Sequence, residues 1–400
     1  MRLSLLALSF LFLTAPAGGE GFKAYLKGAL KNSPALASYG KEAEAVELFK
    51  KEASTLPNPE VELEVENFLG TGGFRGFKSA ETGIYLSQRF PLPKKVKRKR
   101  EALEARLKVI FGERRARELS IFKEVGELYA GYLYQRERAE LYREFLELSR
   151  ELLEVARARF EGGKAAYPEV LAAQAEVERW KGLREESLRE LEGYRKALER
   201  LTGVKGEPEG ELYSLKPLPE KLSPNHPLIS VAEAEAEVLK KEAEAAKAES
   251  LPDLKVSGGF RHFNAEDDFA FTFGVALELP LFNRNRFRAK ALEKRGEAKL
   301  LLAQQQRLEL EREFTLALSR GRALAQKVKT IEGELLPKLK ELNSLLLEAY
   351  RLGRAPITQL LDARRRLLQE KMELLNTYYR YHLIRVELHA VAGATPENLF

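Results

Sequence analysis

The chain has 400 residues, of which 44% are hydrophobic and 32% are charged, and its 67 basic and 60 acidic residues give a net charge of +7. The absence of cysteine excludes a disulfide scaffold, a thiol nucleophile and thiolate-bound zinc or iron–sulfur centres. Such a small basic excess does not indicate a nucleic-acid partner. The mature sequence also lacks a run of about 18 or more apolar residues, which a membrane-spanning helix requires.

Residues 1–17 predict a secretory signal peptide. A short basic region precedes an apolar stretch over residues 3–13, and Ala15 and Ala17 supply the small residues of an A-x-A cleavage site. The apolar stretch is too short for a stable membrane anchor. We therefore expect cleavage after Ala17 and export of the mature chain.

The mature chain contains two similar repeats that are offset by about 190 residues. Residues 18–202 and 225–393 follow the same order: a helix, two short strands, a very long helix and a further helix. Residues 203–224 are rich in Gly and Pro and are expected to link the repeats, and residues 394–400 form a short tail. The segments that match between the repeats include 32–36 and 225–229, 90–92 and 279–281, and 201–203 and 391–393.

The hydrophobic periodicity places the same elements in both repeats. In the first repeat we expect a helix of about 24 residues at 32–55, strands at about 59–68 and 80–91, a long helix at about 94–161 and a helix at about 167–202. In the second repeat we expect a helix at about 227–250, strands at about 253–263 and 269–280, a long helix at about 286–351 and a helix at about 357–392.

The predicted strands alternate between apolar and polar residues. The first strand alternates Glu60, Glu62, Glu64 and Glu66 with Val61, Leu63 and Val65, and every odd position from Phe269 to Leu279 is apolar. One face of each strand therefore meets apolar surroundings and the other meets water. Lengths of about nine to eleven residues match tilted strands that cross a bilayer. A soluble, half-buried hairpin is the alternative.

If the strands do span a membrane, the chain must be an oligomer. Four strands cannot close a barrel, and an open sheet edge in lipid leaves backbone groups unpaired at several kcal/mol each. The membrane interpretation therefore requires several copies of the chain to share one barrel.

The two long helices have the spacing of a coiled coil. They contain no proline except Pro337, and at about 1.5 Å per residue each would extend for about 100 Å. In the first long helix the apolar positions are Leu141, Phe145, Leu148, Leu152 and Val155, and in the second they are Leu335, Leu339, Leu342 and Leu346. The helix at about 357–392 has the same kind of spacing, with Leu360, Leu367, Leu374, Tyr381 and Leu388. A structural coiled-coil protein has the same pattern, so the helices alone do not decide the function.

Taken together, these elements resemble the TolC-like outer membrane efflux protein family. The resemblance covers the whole mature chain and rests on the doubled plan of strands and helices and on a tip motif. That motif is Tyr350-x-x-Gly353 followed by Leu360-Leu361-Asp362-Ala363, and it returns as Phe160-x-x-Gly163 with Glu169-Val170-Leu171. Residues 279–286 are similar to the corresponding junction in outer membrane components of heavy-metal efflux systems of the resistance-nodulation-division type.

The resemblance implies a mainly α-helical fold with a membrane β-barrel. In a homotrimer, twelve strands would close one barrel in the outer membrane, and twelve helical columns would form a tunnel in the periplasm, where most of the chain would lie. The implied function is the passive exit duct of a tripartite pump for small molecules or metal cations. Its partners would be a periplasmic adaptor protein, an inner-membrane transporter and outer membrane lipid.

Two other functions remain open at this stage: a duct for type I protein secretion, and a periplasmic structural coiled-coil protein with soluble hairpins. An enzyme is not expected, because the sequence has no catalytic fingerprint and its four histidines form no catalytic or metal-binding motif. We expect no cofactor, no bound metal and no nucleic-acid partner.

The resemblance assigns the turns between the long helices and the helices that follow them to the periplasmic tip. Glycines allow the tight reversals, and the tip would dock the adaptor. The tip residues implied are Gly162, Gly163, Lys164, Gly353, Arg354 and Pro356. An ordinary turn between two helices, with no docking role, would explain the glycines equally well.

The resemblance also implies a closed gate that includes Glu169, Tyr350 and Asp362. Asp362 would line the constriction, and three copies would form a carboxylate ring that attracts cations. The sequence departs from the family pattern because Gln359 replaces an expected carboxylate and Ala355 an expected arginine; Arg354, next to it, is the candidate substitute. An ordinary surface position for Asp362 is the alternative.

Two basic clusters follow the second strand of each repeat. Their members are Lys94, Lys95, Lys97 and Arg98 in the first repeat and Arg284 and Arg286 in the second. Positive charge at the start of a helix interacts unfavourably with the helix dipole. The presence of these basic residues at helix starts therefore needs another explanation. We expect both clusters to face anionic lipid headgroups at the inner leaflet of the outer membrane. A solvated charged face is the alternative.

Overall fold

The computed structural model describes residues 21–400, so the predicted signal peptide at residues 1–17 lies outside the described residues. The helices are α1 (Phe22–Asn32), α2 (Pro34–Glu52), α3 (Pro93–Glu161), α4 (Tyr167–Thr202), α5 (Pro227–Glu249), α6 (Arg286–Thr330), α7 (Leu336–Arg351) and α8 (Ile357–Val391). The strands are β1 (Glu60–Glu66), β2 (Glu81–Phe90), β3 (Leu254–Phe263) and β4 (Asp268–Leu277). None of the helices in the described part of the chain is long and apolar enough to cross a membrane.

The chain forms two compact units. The sheet-bearing unit consists of residues 35–116 and 225–309. The helical unit consists of residues 117–224 and 310–400 together with the described residues up to 34.

In the sheet-bearing unit, the strands form one antiparallel sheet in the order β1-β2-β3-β4. One register row joins Leu63, Ile84, Phe260 and Phe271 across all four strands. Because paired residues point to the same side, this row lies on a single apolar face. Phe271 on that face is 84% exposed in the single chain.

The opposite face of the sheet is polar and carries paired charges. The Arg261 guanidinium on β3 lies 2.9 Å from Glu81, 3.2 Å from Glu66 and 3.4 Å from Glu64. Lys255 on the same strand lies 2.8 Å from Glu60. The carboxylate row of β1 is thus matched by basic side chains that extend from β3 across β2.

In the helical unit, the first and last segments of the chain meet in an aromatic cluster. The ring of Phe400 lies 5.4 Å from that of Phe22, 5.0 Å from that of Tyr129 and 5.4 Å from that of His382. Leu399 beside it is fully buried. The residues of the predicted tail therefore pack against α1, α3 and α8.

Two helices differ from the sequence-based expectation. The helix expected at 32–55 is α2, and a helix that was not expected, α1, precedes it; the two are separated at Ser33, an extended residue with ψ of 111°. Proline disfavours a helical conformation in the residue before it, and Pro34 follows Ser33. The long helix expected at 286–351 contains a π-helical turn at Ile331–Leu335. Pro337 explains that turn, because it supplies no N–H to the helix ladder and its ring crowds the carbonyl four residues earlier.

His382 of α8 is buried and neutral in the helical unit. Its Nε2 lies 2.8 Å from the carbonyl oxygen of Leu212, to which it donates, and its Nδ1 has no partner among the described residues. Burial, assisted by the nearby charge of Arg385, lowers the pKa of His382 from 6.5 to about 4. Burial lowers the pKa of His389 to about 4 as well.

We expect these histidines to make the helical unit less stable in mild acid. Above pH 6.5 they are neutral whether the chain is folded or unfolded, whereas between pH 6.5 and 4 only the unfolded chain takes up the proton. Stability is therefore lost as pH falls through this window, by about 3 kcal/mol for His382 alone. Thermal unfolding of the purified protein between pH 4 and 8 measures this. His382→Gln, which keeps a donor for Leu212, should reduce the pH dependence, and an unchanged pH profile would contradict the assignment.

Candidate functional site

Two equivalent turns end the long helices of the helical unit. The first follows α3 and the second follows α7, and each reverses the chain at a glycine with positive φ: 68° at Gly163 and 76° at Gly353. The amide of Lys164 donates to the carbonyl of Arg159 at 2.8 Å, and that of Arg354 donates to Ala349 at 2.8 Å. These bonds close the helix ends in the Schellman arrangement, which requires the left-handed conformation that glycine adopts without strain.

A buried apolar cluster lies behind both turns. It draws side chains from α3, α4, α7 and α8, so the two turns share one core. Its members include Leu152, Ala156, Val170, Ala173, Tyr350, Ile357 and Leu360. Any rearrangement at the turns must therefore repack a core common to all four helices.

Tyr350 connects the two turns through polar contacts. Its ring is fully buried, and its hydroxyl donates to Oε2 of Glu169 at 2.8 Å. The Arg159 guanidinium lies 4.3 Å from the centre of the Tyr350 ring and also donates to the Tyr350 carbonyl. Burial, and then the hydrogen bond to Glu169, raise the pKa of Tyr350 to about 12, so the hydroxyl keeps its proton and acts as a donor.

We expect Tyr350→Phe to weaken the contact between the two turns. The change removes one hydrogen bond to a carboxylate and leaves Glu169 without its donor, at a cost of about 1.5–3 kcal/mol. If the two turns form the gate that the resemblance implies, single-channel recordings in planar bilayers should show open events that are about tenfold more frequent or more. Tyr167→Phe is the matched control, because Tyr167 begins α4 with its side chain 54% exposed. Equal behaviour of the two variants would assign no gating role to the Tyr350 hydroxyl.

The other gate residues expected from the sequence do not join this network. Asp362 is 65% exposed at its side chain and lies 3.5 Å from Arg365, on its own helix. Gln359 and Arg354 are exposed, and the contacts of Tyr350 and Glu169 include neither of them. The structure therefore brings together Tyr350 and Glu169 and leaves Asp362 on an open surface of the single chain.

Two arginines near the turns were not expected from the sequence. Arg159 has an ordinary place for a cation, since it lies in the last turn of α3, where the helix dipole favours positive charge. Arg364 is only 6% exposed, although it belongs to a run of three arginines on α8 that has the pattern of a solvated surface. The position of Arg159 at the end of a helix could have been recognised from the sequence. Nothing in the sequence indicated that Arg364 is buried.

The basic clusters of the sheet-bearing unit contain both ion-paired and exposed side chains. Lys95 lies 2.6 Å from Asp253, and Arg98 lies 2.8 Å from Glu244 and 2.6 Å from Glu101. The members that remain exposed are Lys94, Lys97, Arg284 and Arg286.

Two phenylalanines flank the second cluster. Phe282 is 99% exposed and Phe287 is 74% exposed. Exposed apolar surface therefore lies beside the exposed cations of this cluster.

Within residues 21–400, no group of three or more His, Cys, Asp or Glu side chains is arranged to hold a metal ion. Neither turn contains a nucleophile paired with a general base. The contacts of Tyr350 with Glu169 and Arg159 can hold the two helical hairpins together, and the turns present polar side chains to solvent. Both properties suit a gate or a docking surface.

Comparison with known families returns one that matches both repeats. The outer membrane efflux protein family matches residues 26–204 and, separately, 218–394. The sequence is 26% identical over 220 residues to the cobalt-zinc-cadmium resistance protein CzcC of Cupriavidus metallidurans. That match covers 52% of this chain and 52% of the relative, so the matched region spans about half the length of CzcC.

Solved structures match almost the whole chain. CusC is 19% identical with a TM-score of 0.74, covering 93% of this chain and 92% of its own. A membrane protein from Pseudomonas aeruginosa is 19% identical with a TM-score of 0.76, covering 94% and 91%. The Campylobacter jejuni outer membrane channel CmeC is 18% identical with a TM-score of 0.72, covering 94% and 86%. These similarities confirm the fold class expected from the sequence.

Proposed function

The chain belongs to the outer membrane efflux protein family, and on this premise we propose that it is the passive exit duct of a tripartite efflux pump in the outer membrane. It carries out no chemistry of its own. Three copies form the duct, and the energy for transport comes from an inner-membrane transporter, to which a periplasmic adaptor connects it. Most of the chain lies in the periplasm.

The observation that carries this proposal is the two-faced sheet. Val61, Leu63, Ile84, Phe260 and Phe271 share one face and are between 54% and 84% exposed in the single chain. A continuous apolar surface of this kind is expected to be covered, and acyl chains cover the outer face of a membrane barrel. The charged face then lines the water-filled interior.

The ends of the sheet support a shared barrel. Among the described strands, β1 and β4 each pair on one side only, so their outer edges present unpaired backbone groups. In lipid such edges must be closed. Three copies with four strands each would supply the twelve strands of one closed barrel.

Apolar surface on α6 and α7 supports the same assembly. Several leucines on these helices are about half exposed or more in the single chain, in positions that a neighbouring copy would cover. They are Leu300, Leu301, Leu308, Leu316 and Leu345.

For the substrate, we propose divalent metal cations. The relative CzcC is named for resistance to cobalt, zinc and cadmium. At the tip, Asp362 would place three carboxylates in the trimer, and carboxylate oxygen is one of the ligand types that bind zinc. Tyr350 with Glu169 would hold the gate closed.

For the adaptor, we propose docking at the two glycine turns. Lys164 and Arg354 occupy equivalent exposed positions there, so three copies would present six cations around the tip. The residues of this docking surface are Gly162, Gly163, Lys164, Gly353, Arg354 and Pro356. The exposed cations Lys94, Lys97, Arg284 and Arg286 would contact anionic lipid headgroups.

A fractionation experiment tests the duct. Cells that express the chain should carry it in the outer membrane fraction as a trimer that dissociates only on heating, and the detergent-purified trimer should conduct ions in planar bilayers. Loss of the chain should raise cellular cobalt, zinc or cadmium. A monomer that dissolves without detergent would overturn the duct; a conducting trimer whose loss leaves metal content unchanged would overturn only the substrate.

A further inference from the structure

A small cavity lies between α3, α4 and α8 of the helical unit. Its volume is about 120 Å³. Phe145, Trp180, Leu361 and Leu368 form its apolar walls, and Arg364 lies among the polar residues that line it. At about 30 Å³ per water in the liquid, the space holds roughly four waters or one small ion with residual hydration.

Arg364 brings a buried positive charge to this cavity without a buried counter-charge. Its Nη1 donates to the carbonyl of Leu148 at 2.6 Å. Its Nε and Nη2 are buried and meet no hydrogen-bond partner among the residues that the structure describes. A guanidinium stays ionised in proteins, so these two nitrogens carry three N–H donors, of which the Nε–H and one Nη2–H point the same way in the guanidinium plane.

The carboxylates near Arg364 are already paired with other arginines. Glu151, the carboxylate whose charge acts most strongly on Arg364, forms an ion pair with Arg351. Glu176 lines the cavity but lies 3.8 Å from Arg179, with which it pairs. Arg365 also lines the cavity and lies 3.5 Å from Asp362, outside it. Three arginines and one glutamate therefore surround the space. An isolated buried charge costs several kcal/mol unless a counter-charge or strong hydrogen bonds satisfy it.

We propose that the cavity binds one small monovalent anion of the chloride class, held by Nε and Nη2 of Arg364. An anion there would accept the Nε–H and one Nη2–H and neutralise the buried charge. The four apolar walls favour an ion that sheds water easily, and the carboxylate of Glu176 opposes ions of higher negative charge. Chloride, bromide and iodide meet these conditions, whereas sulfate does not.

The first repeat supplies an internal comparison. Gln174 occupies the position equivalent to Arg364, in the same register after the glycine turn. A neutral side chain is therefore compatible with this place in the fold. Arg364→Gln transfers the residue of one repeat into the other; it removes the charge and the planar fork and shortens the side chain.

Trp180 reports on the cavity directly, because it is the single tryptophan of the chain and forms one of the walls. Iodide bound beside it should quench its fluorescence. In the detergent-purified trimer, titration with sodium iodide, at ionic strength held constant with sodium gluconate, should give saturable quenching that chloride reverses. Arg364→Gln should weaken iodide binding by about tenfold or more and leave only the linear collisional component.

Arg366→Gln is the matched control, because it removes the same charge from an exposed position on the same helix, outside the lining of the cavity, and should keep saturable quenching. If the quenching of the control variant is no longer saturable either, iodide is attracted by the overall positive charge of the region and does not bind at a site formed by Arg364. Linear quenching in the unmodified trimer would mean that the cavity holds only water, and would overturn the proposal. Bromide-soaked crystals of the unmodified protein give a readout that needs no variant: an anomalous peak is expected beside Nε and Nη2 of Arg364, and its absence would contradict the site.

Discussion

Phe273→Arg is expected to abolish the heat-modifiable trimer in the outer membrane fraction. Phe273 lies in the middle of β4, is 75% exposed and pairs with Gly258, so the new side chain meets no cross-strand neighbour. On the lipid face of a membrane barrel, arginine near the midplane costs about 2–4 kcal/mol. The trimer would bear this cost three times, which is comparable to the whole stability of an ordinary domain.

Thr272→Arg is the matched control for this experiment. Thr272 is the preceding residue of the same strand and is also exposed, but its side chain points to the charged face, in the row that contains Glu62. There the arginine meets water and carboxylates, so the trimer should assemble. Loss of assembly in both variants, or in neither, would contradict the assignment of one face to lipid and the other to water.

The faces of this sheet could be predicted from the sequence, but its register could not. Strict alternation from Glu60 to Glu66 and along β4 follows from the period of two in a strand, which any single segment reveals. The pairing of Ile84 with Phe260 joins segments that are far apart in the chain. Periodicity does not specify such a pairing; only the folded sheet does.

The coiled-coil pattern predicted which residues lie on the contact face of each helix. It could not predict whether the same chain or a second copy covers that face. Leu360, Leu367 and Leu374 of α8 are buried in the helical unit, at 0%, 4% and 7% exposure. Leu335 and Leu342, which have the same spacing, are 36% and 39% exposed in the single chain. A heptad pattern does not distinguish a partner within the chain from one in a second copy.

At the candidate site, the resemblance supplied residue types and the structure supplied their contacts. Tyr350 and Glu169 are separated by 181 residues, and their hydrogen bond depends on the packing of α3, α4, α7 and α8 around one core. Arg364 illustrates the limit more sharply. Three consecutive arginines suggest a solvated face, and one of them is buried only because α8 turns it towards Leu148 of α3.

Asp362→Asn is expected to remove most of the blockade of the duct by multivalent cations. In the proposed trimer, three carboxylates stand in one ring at the constriction, and like charges held close together bind a multivalent cation that can contact all of them. Within residues 21–400, the ion pair that Asp362 forms is the loose one with Arg365, and its side chain is 65% exposed. The carboxylate is therefore available to a pore.

Planar-bilayer recordings measure this directly. The concentration of a trivalent cation that halves the current should rise by at least about tenfold, because each lost charged contact costs about 1.5–3 kcal/mol. The ratio of cation to anion permeability should fall with it. Glu161→Gln removes the same charge from the exposed end of α3, next to the first turn, and should leave the blockade nearly unchanged. If the two variants behave alike, the effect comes from the total charge of the tip. If Asp362→Asn changes nothing, Asp362 lies outside the pore.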